Sequence, residues 1–213
     1  MVKAKIDKPN LSKELVDFSE SINEVLINER ELTDSFVSGD LVEDVEERIE
    51  IRGTYFKNVV FSNCVFRNID LLDVKFENCD LSNIDFSDGS IHRVEFDNCK
   101  LTGSNFGESN MQNVLFNESV LRYGDMAYCK MKDVGFVNCN LEGATFLESK
   151  FKNLEFKECK LNEADFMNTD LNGIDFRDSE ISALNLTGKE LKGAIISPSQ
   201  AMEIVGLLGV VVK

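Results

Sequence analysis

Large apolar residues recur at every fifth position through most of the chain. Counting in fives from Ile51 to Ile196, each position holds Ile, Leu, Phe or Met, and we call these positions beats. The residue two before each beat is mostly small or β-branched. A period of five fits neither the 3.6 residues of a helical turn nor the two of a strand. The pattern therefore predicts that each five-residue phrase turns two side chains inward and three outward.

Four phrases, or about twenty residues, bring a square coil back to its starting side, and stacked coils pair their backbones about 4.8 Å apart. The sequence therefore predicts an all-β solenoid in which residues twenty apart form columns. One column holds the phenylalanines of every coil, at 56, 76, 96, 116, 136, 156 and 176. The column opposite it is also mostly phenylalanine, at 66, 86, 106, 146 and 166, with Met126 between them. The third column is leucine from 81 to 161, and the fourth, from Leu71 to Leu171, is mixed.

Several of the phrases resemble a known family. CDLSN at 79–83, CKLTG at 99–103, CNLEG at 139–143 and CKLNE at 159–163 are similar to the repeats of the pentapeptide repeat family. That resemblance covers about two-thirds of the chain and implies a right-handed quadrilateral β-helix. It implies less about function, because proteins with such repeats have many roles.

The repeat divides the chain into three parts. Residues 51–196 are predicted to form the β-helix, with no loop inserted between the beats. Residues 1–50 lack the repeat and are predicted to cap the open end of the solenoid, which would otherwise expose strand edges. Within this cap we predict a short helix near Lys13–Phe18 and a strand near Glu24–Ile27. Its many acids form either a solvated face or part of a binding surface.

Residues 197–213 are predicted to form a helix and a short strand. Ser197 followed by Pro198 is typical of a helix start, and the helix is expected to run to Leu208, with Gly209 ending it. The helix is apolar nearly all round, so one side would cover the last coil and the other would form a two-fold dimer interface. The predicted interface residues are Met202, Ile204, Val205, Leu207, Leu208, Val210, Val211 and Val212.

The composition limits the range of partners and locations. The 213 residues carry a formal net charge of −15, which disfavours binding to nucleic acid or an anionic membrane and favours a basic protein partner. No apolar run approaches the roughly 18 residues that span a membrane. The opening MVKAKIDKPN lacks the apolar core of a secretory signal, so a cytoplasmic location is predicted.

No catalytic or cofactor motif stands out. The single histidine, His92, is predicted to point outward, there is no G-x-G-x-x-G or P-loop, and the acids lie on a surface with no predicted cavity. All six cysteines fall two residues before a beat, where the side chain turns inward, and none forms a C-x₂-C pair. We interpret them as buried free thiols, since a reducing cytosol disfavours disulfides between stacked neighbours. The sequence predicts no enzyme, no metal and no cofactor.

Charge is distributed unevenly over the four sides. The side behind the Phe66-to-Phe166 column, which we call the acidic face, carries six acids and one base. The side behind the Leu71-to-Leu171 column, which we call the basic face, has an excess of bases, with Lys130, Lys132, Lys150 and Lys152 clustered on it. The predicted partner-binding residues are the acids of the acidic face, together with three on the Phe56 side: Asp85, Asp88, Glu108, Asp125, Glu148, Asp165, Glu95, Asp97 and Glu118.

Three further segments resemble one particular group of pentapeptide repeat proteins. The tail from Ser197, the opening KPNLSKEL and the stretch SIHRVEFDNCKLTGSNF resemble the loop-free Qnr-type fluoroquinolone resistance proteins of Gram-positive bacteria. The resemblance implies a homodimeric rod that mimics duplex DNA, binds DNA gyrase and topoisomerase IV, and protects them from quinolones. Many Qnr proteins of Gram-negative bacteria carry two projecting loops that this chain lacks, so protection and inhibition of the enzyme both stay open. The alternatives are a repeat scaffold for another basic protein and, least favoured, an enzyme or enzyme accessory.

Overall fold

The five-residue period determines where the backbone turns. In a computed structural model, which describes residues 5–17, 22–39, 41–45, 48–206 and 210, the chain winds into a parallel β-solenoid of about seven turns. Two residues after each beat it turns a corner. These corner residues, from 53 to 193, adopt φ between 49° and 92° with the single exception of Asp178. Asparagine is frequent at the corners because its short amide tolerates the left-handed conformation better than most side chains.

Twelve strands and two helices are present in the described residues. The early strands are short and each occupies one side of a coil: β1 Val16–Asp17, β2 Glu31–Thr33, β3 Ser35–Ser38, β4 Leu41–Glu43, β5 Glu50–Arg52, β6 Tyr55–Lys57 and β7 Val60–Ser62. The later strands are eight residues long and pass round a corner: β8 Asp70–Glu77, β9 Ser90–Asp97, β10 Asn110–Asn117, β11 Lys130–Val137 and β12 Lys150–Lys157. The helices are α1 Ile22–Asn28 and α2 Pro198–Val205.

Residues twenty apart stack as predicted. Phe76 pairs with Phe96, and Phe96 with Phe116, in parallel register. The rings of Phe96 and Phe116 lie face to face, with centroids 4.8 Å apart and planes 4° apart, which matches the spacing of adjacent strands. Every beat is buried except Phe151, Leu191 and Ile196, which are half-buried. The inward assignment of the repeat is therefore confirmed.

The cysteines occupy the small inward position two residues before a beat. All six are buried and all are free thiols. Burial raises the pKa of the Cys129 thiol to about 11, which keeps it protonated and unreactive at neutral pH. The burial of all six cysteines is consistent with a structural role as free thiols.

The ladder of strands begins before residue 51. Leu32 pairs with Ile51 and Val42 with Phe61, each at an offset of nineteen residues, whereas Ile51 pairs with Leu71 at an offset of twenty. The first coil is therefore one residue short, and this shift hides its apolar positions from a count in fives. The predicted boundary at 50/51 lies inside a continuous parallel ladder.

Both secondary-structure predictions for the N-terminal segment are wrong. Strand β1 lies inside the predicted helix, of which Phe18 falls outside the described residues, and helix α1 covers the predicted strand. The side chains of Ile22 and Leu26, four residues apart, are both fully buried, as one helical face requires. The apolar run around Leu26 thus has helical periodicity, and α1 packs its buried face onto the first coil.

Residues 5–17 form an extended segment, which we call the strap, that runs along the outside of the rod. The Asp7 N–H donates to Oδ1 of Asn113 in β10 at 3.2 Å, and the Asn10 N–H donates to Oδ1 of Asp73 in β8 at 2.8 Å. The strap ends in β1, which pairs with β3. It therefore crosses the coils in the reverse of their chain order. Nothing in the five-residue pattern predicts it.

The strap is seated in a notch at Gly135. A Cβ at this position would lie 2.7 Å from Ile6 Cδ1 and 3.4 Å from Leu115 Cδ1. The missing side chain of Gly135 thus leaves the space that Ile6 fills. Ile6 is half-buried there.

Helix α2 closes the other end of the rod. Ser197 caps it as predicted: its hydroxyl accepts from the Gln200 N–H, while Gln200 Oε1 accepts from the Ser197 N–H. The Gln200 amide also donates to the carbonyls of Phe176 and Ser179 at 2.7 Å each, at the end of the stack. The helix ends at Val205 with Gly206 as its C-cap, and the predicted extension to Leu208 and Gly209 lies outside the described residues.

The ladder is interrupted between β12 and the following coil. No backbone hydrogen bond joins residues 150–157 to residues 170–177, both of which the structure describes in full, whereas β8 to β12 pair along their lengths. Residues 170–177 turn instead of extending, and pair only with the next coil, as between the Phe176 N–H and Ile195 O at 2.8 Å. The gap is a cleft of about 770 Å³, which we call the β12 cleft, and it leaves Phe151 and Leu154 half-buried.

Candidate functional site

Three aspartates are held in one column of the acidic face. Asp85, Asp125 and Asp165 occupy matching positions on alternate coils, linked through Asn105 and Thr145 by a continuous series of parallel bridges. Alternate coils place these carboxylates about 10 Å apart. In each aspartate Oδ1 accepts the backbone N–H two residues later, at 2.9, 2.8 and 2.8 Å. The backbone therefore fixes the direction of these negative charges.

A second column of acids lies at the adjoining corner. Asp88, Glu108 and Glu148 take left-handed φ values of 58°, 60° and 51°, and Tyr128, half exposed, occupies the coil between the two glutamates. Glu108 and Glu148 are exposed, while Asp88 pairs with Arg67 at 2.9 Å. Arg67 is the one base on this face, so most of its negative charge is unneutralised.

The structure separates the other three predicted residues from these six. Glu95, Asp97 and Glu118 belong to the side behind the Phe56 column, which is opposite the acidic face. Asp97 is 3.4 Å from the Lys75 ammonium and accepts from the Asn117 amide at 2.8 Å. The nine predicted acids therefore do not form one surface, and the compact site consists of the six on the acidic face.

At several other positions the rod stacks opposite charges on neighbouring coils. Arg93 makes two hydrogen bonds of 2.6 Å to the Asp73 carboxylate, and Arg122 donates to Glu142 at 3.0 Å. These pairs occupy matched positions twenty residues apart. On the acidic face only Asp88 has an ion pair of this kind among the described residues, with Arg67, and the other five acids have none.

A strongly held carboxylate, Glu77, lies on the Phe56 side. It accepts from the Tyr55 hydroxyl at 2.6 Å and lies 2.9 Å from the ammonium groups of Lys57 and Lys75. These three donors lower the pKa of Glu77 to about 2. The cluster joins adjacent coils and contains no free nucleophile, so it is a structural contact.

The predicted dimer residues are only partly described. Met202 and Val210 are exposed, Val205 is half-buried and Ile204 is buried against the rod. Leu207, Leu208, Val211 and Val212 lie outside the described residues. Ile204 therefore serves the contact between α2 and the rod, and the exposed side of the helix presents Met202.

The described residues contain no group of three or more His, Cys, Asp or Glu side chains that could hold a metal ion. His92 lies in β9, half-buried, in the same column as Gln112 and Lys132. None of the helices in the described ranges is long and apolar enough to cross a membrane.

The comparison with family models agrees with the observed repeat. The model described as "Pentapeptide repeat region" matches residues 49–126, 89–166 and 129–203, which together cover most of the chain. The chain belongs to the pentapeptide repeat family. Its fold is the right-handed quadrilateral β-helix of that family, with a C-terminal helix.

The solved structures that are similar to this pentapeptide repeat protein along most of its length include two of QnrB1. A trypsin-treated variant of QnrB1, a plasmid-mediated fluoroquinolone resistance protein, is 20% identical with a TM-score of 0.52, and the match covers 94% of this chain and 100% of that one. Full-length QnrB1 is 16% identical with a TM-score of 0.50, covering 83% of this chain and 100% of that one. No curated protein sequence matches the chain. At these identities the similarity establishes the fold.

Proposed function

We propose that this pentapeptide repeat protein is a binding protein that presents its acidic face in place of duplex DNA to type II topoisomerases, DNA gyrase and topoisomerase IV. By occupying a basic DNA-binding surface it modulates their response to fluoroquinolones. The observation that carries the proposal is the regular series formed by Asp85, Asp125 and Asp165 on one face of the stack, each held by a backbone N–H and without an ion pair to a described residue.

The charge density of this face supports the proposal. From Asp85 to Asp165 the stack advances four coils, or about 19 Å, and carries six acids. Duplex DNA of that length carries about eleven charges at one per 1.7 Å. The acidic face therefore offers about half the charge of the duplex on one side, where a lysine- and arginine-lined groove would contact the phosphates.

The test is a supercoiling assay with purified gyrase, with and without ciprofloxacin, together with a binding measurement at several salt concentrations. In the test variant Asp85, Asp125 and Asp165 are all changed to Asn. Asparagine keeps the Oδ1 acceptor that holds each turn, so the variant removes three charges and leaves the fold intact. Binding to gyrase and any effect on quinolone action should fall sharply.

A matched control removes three exposed acids from other sides of the rod: Glu163→Gln, Asp170→Asn and Glu180→Gln. It should bind gyrase as the unmodified protein does, and binding by both should weaken as salt rises. Equal loss in the two variants, or binding that is indifferent to salt, would contradict DNA mimicry. Absence of any gyrase binding would leave the protein as a scaffold for a different basic partner.

A further inference from the structure

Four lysines form a compact square on the basic face. Strands β11 and β12 pair Lys130 with Lys150 and Lys132 with Lys152, and all four side chains are exposed. Adjacent strands are about 4.8 Å apart, and residues two apart on one strand are separated by about 7 Å. Four positive charges are thus concentrated in an area no wider than a small molecule.

The four lysines lack the opposite charges that lie beside several other charged residues of the rod. Arg93 lies over Asp73 and Arg122 over Glu142, whereas the four lysines lie over one another and make no ion pair with any described residue. Like charges directly opposite one another on paired strands are destabilising. Like charges that are paired elsewhere can share a counter-ion, as Glu77 and Asp97 share Lys75. The lysine square has no such counter-ion among the described residues, and an uncompensated charge cluster of this kind points to a functional site.

The lysines line a hollow. A groove of about 610 Å³ runs over β9 to β12, bordered by the four lysines and continuing past Gln112 to His92. Its volume lies in the range of small-ligand sites. The β12 cleft opens beside it, and the two hollows share Lys150 and the half-buried ring of Phe151. Phe151, which the interruption after β12 leaves half-buried, forms part of the lining of the groove.

We propose that this groove binds a small polyanion carrying several phosphate groups, such as a triphosphate. Lysine ammonium groups bind phosphate oxygens as compact point charges, and four of them can neutralise the charge of one triphosphate. An extended polyanion fits less well, because the whole chain carries −15 and the basic face is bordered by the acidic face on one side. This binding site goes beyond the proposed topoisomerase interaction and does not depend on it.

Isothermal titration of the full-length protein with inorganic tripolyphosphate at low salt tests the site. We expect saturable binding of one molecule per chain. Binding should be weakened about tenfold or more in the variant Lys132→Gln with Lys152→Gln, equivalent to about 1.4 kcal/mol. The control variant Lys100→Gln with Lys160→Gln makes the same change in net charge on the opposite side of the rod and should bind as tightly as the unmodified protein.

Thermal melting separates loss of the site from loss of the fold. Since the lysines repel one another, Lys132→Gln with Lys152→Gln should melt no lower than the unmodified protein. Tripolyphosphate should raise the melting temperature of the unmodified protein and of the control only. The proposal is overturned if millimolar tripolyphosphate gives no saturable binding, or if both variants bind it equally. It is also overturned if a short DNA duplex binds the lysines more tightly than tripolyphosphate does, which would assign the patch to nucleic acid.

Discussion

At the scale of single residues, the phenylalanine columns carry the stability of the rod. Phe116 is fully buried between Phe96 and Phe136, with centroid distances of 4.8 Å to each, and meets Phe106 edge-on at 5.9 Å. These three neighbouring rings are themselves packed against side chains of the coils above and below them. The surroundings therefore have little freedom to close around a smaller side chain.

Phe116→Ala should lower the free energy of unfolding by about 3–5 kcal/mol, because it removes buried apolar surface and leaves a cavity. Phe151→Ala, at a half-buried beat of the same repeat, should cost less. Phe116→Asp should prevent folding, since the charge would be buried without a partner. Urea unfolding curves measure all three, and an unchanged curve for Phe116→Ala would contradict the inward packing of the repeat.

Glu77 predicts an acid-sensitive component of stability. Its pKa is about 2 in the folded chain and 4.5 in its ordinary state, because three donors hold the charged form. A carboxylate with a lowered pKa stabilises the fold fully above its unfolded pKa and loses that contribution as pH falls toward the folded value. Unfolding free energies of the unmodified protein and Glu77→Gln should therefore converge between about pH 4.5 and pH 2. Parallel pH profiles would count against the contribution of this cluster.

At the scale of elements, the strap and the short first coil were beyond the reach of the sequence pattern. The beats from Ile51 onward follow from a single period, so their burial and stacking were predictable. The apolar positions of the first coil are displaced by one residue from the count in fives. The strap is held by hydrogen bonds from its backbone N–H groups and by the space at Gly135, and the pattern of apolar residues predicts neither contact. Gly135 lies outside the corner positions, but so do Gly89, Gly107 and Gly124, so the sequence does not single out the notch.

Gly135→Leu should release the strap, because its side chain occupies the space that Ile6 fills. Amide hydrogen exchange should increase at residues 5–12, while the amides of β9 and β10 keep their protection. Ile6→Ala reaches the same contact without altering a strand and should also increase exchange, though less. If neither variant changes exchange in the strap, the notch does not hold it.

At the scale of the whole molecule, the two ends of the rod are closed by different means. Helix α1 covers the first coil, and α2 caps the last through Gln200 and Ile204 while Met202 remains exposed. The distribution of charge over the sides of the rod is also a property of the whole molecule. The sequence allowed the acidic and basic faces to be assigned, but Glu95, Asp97 and Glu118 lie on the Phe56 side, opposite the acidic face, and so do not extend it.

Self-association through the exposed side of α2 stays a prediction. Light scattering should give a dimer for the unmodified protein and a monomer for Met202→Glu, whose melting should change little because Met202 is exposed. Truncation after Ser197 should give a monomer or an aggregate, since it also uncovers the carbonyls that Gln200 binds. A single 24 kDa species for the unmodified protein at micromolar concentration would rule out this dimer.

The interruption after β12 has a mechanical consequence. Between these two coils the Leu81 side and the acidic face remain bonded, through pairs such as Lys160 with Glu180 and Asp165 with Asn185, whereas the other two sides are open. At this level the rod is held by backbone hydrogen bonds on two adjacent sides only, so it should bend there most easily, as at a hinge. Flexing there would widen the β12 cleft and make the acidic face concave. Under the proposed function, this bend would let the acidic face follow the curved path that DNA takes on many of its proteins.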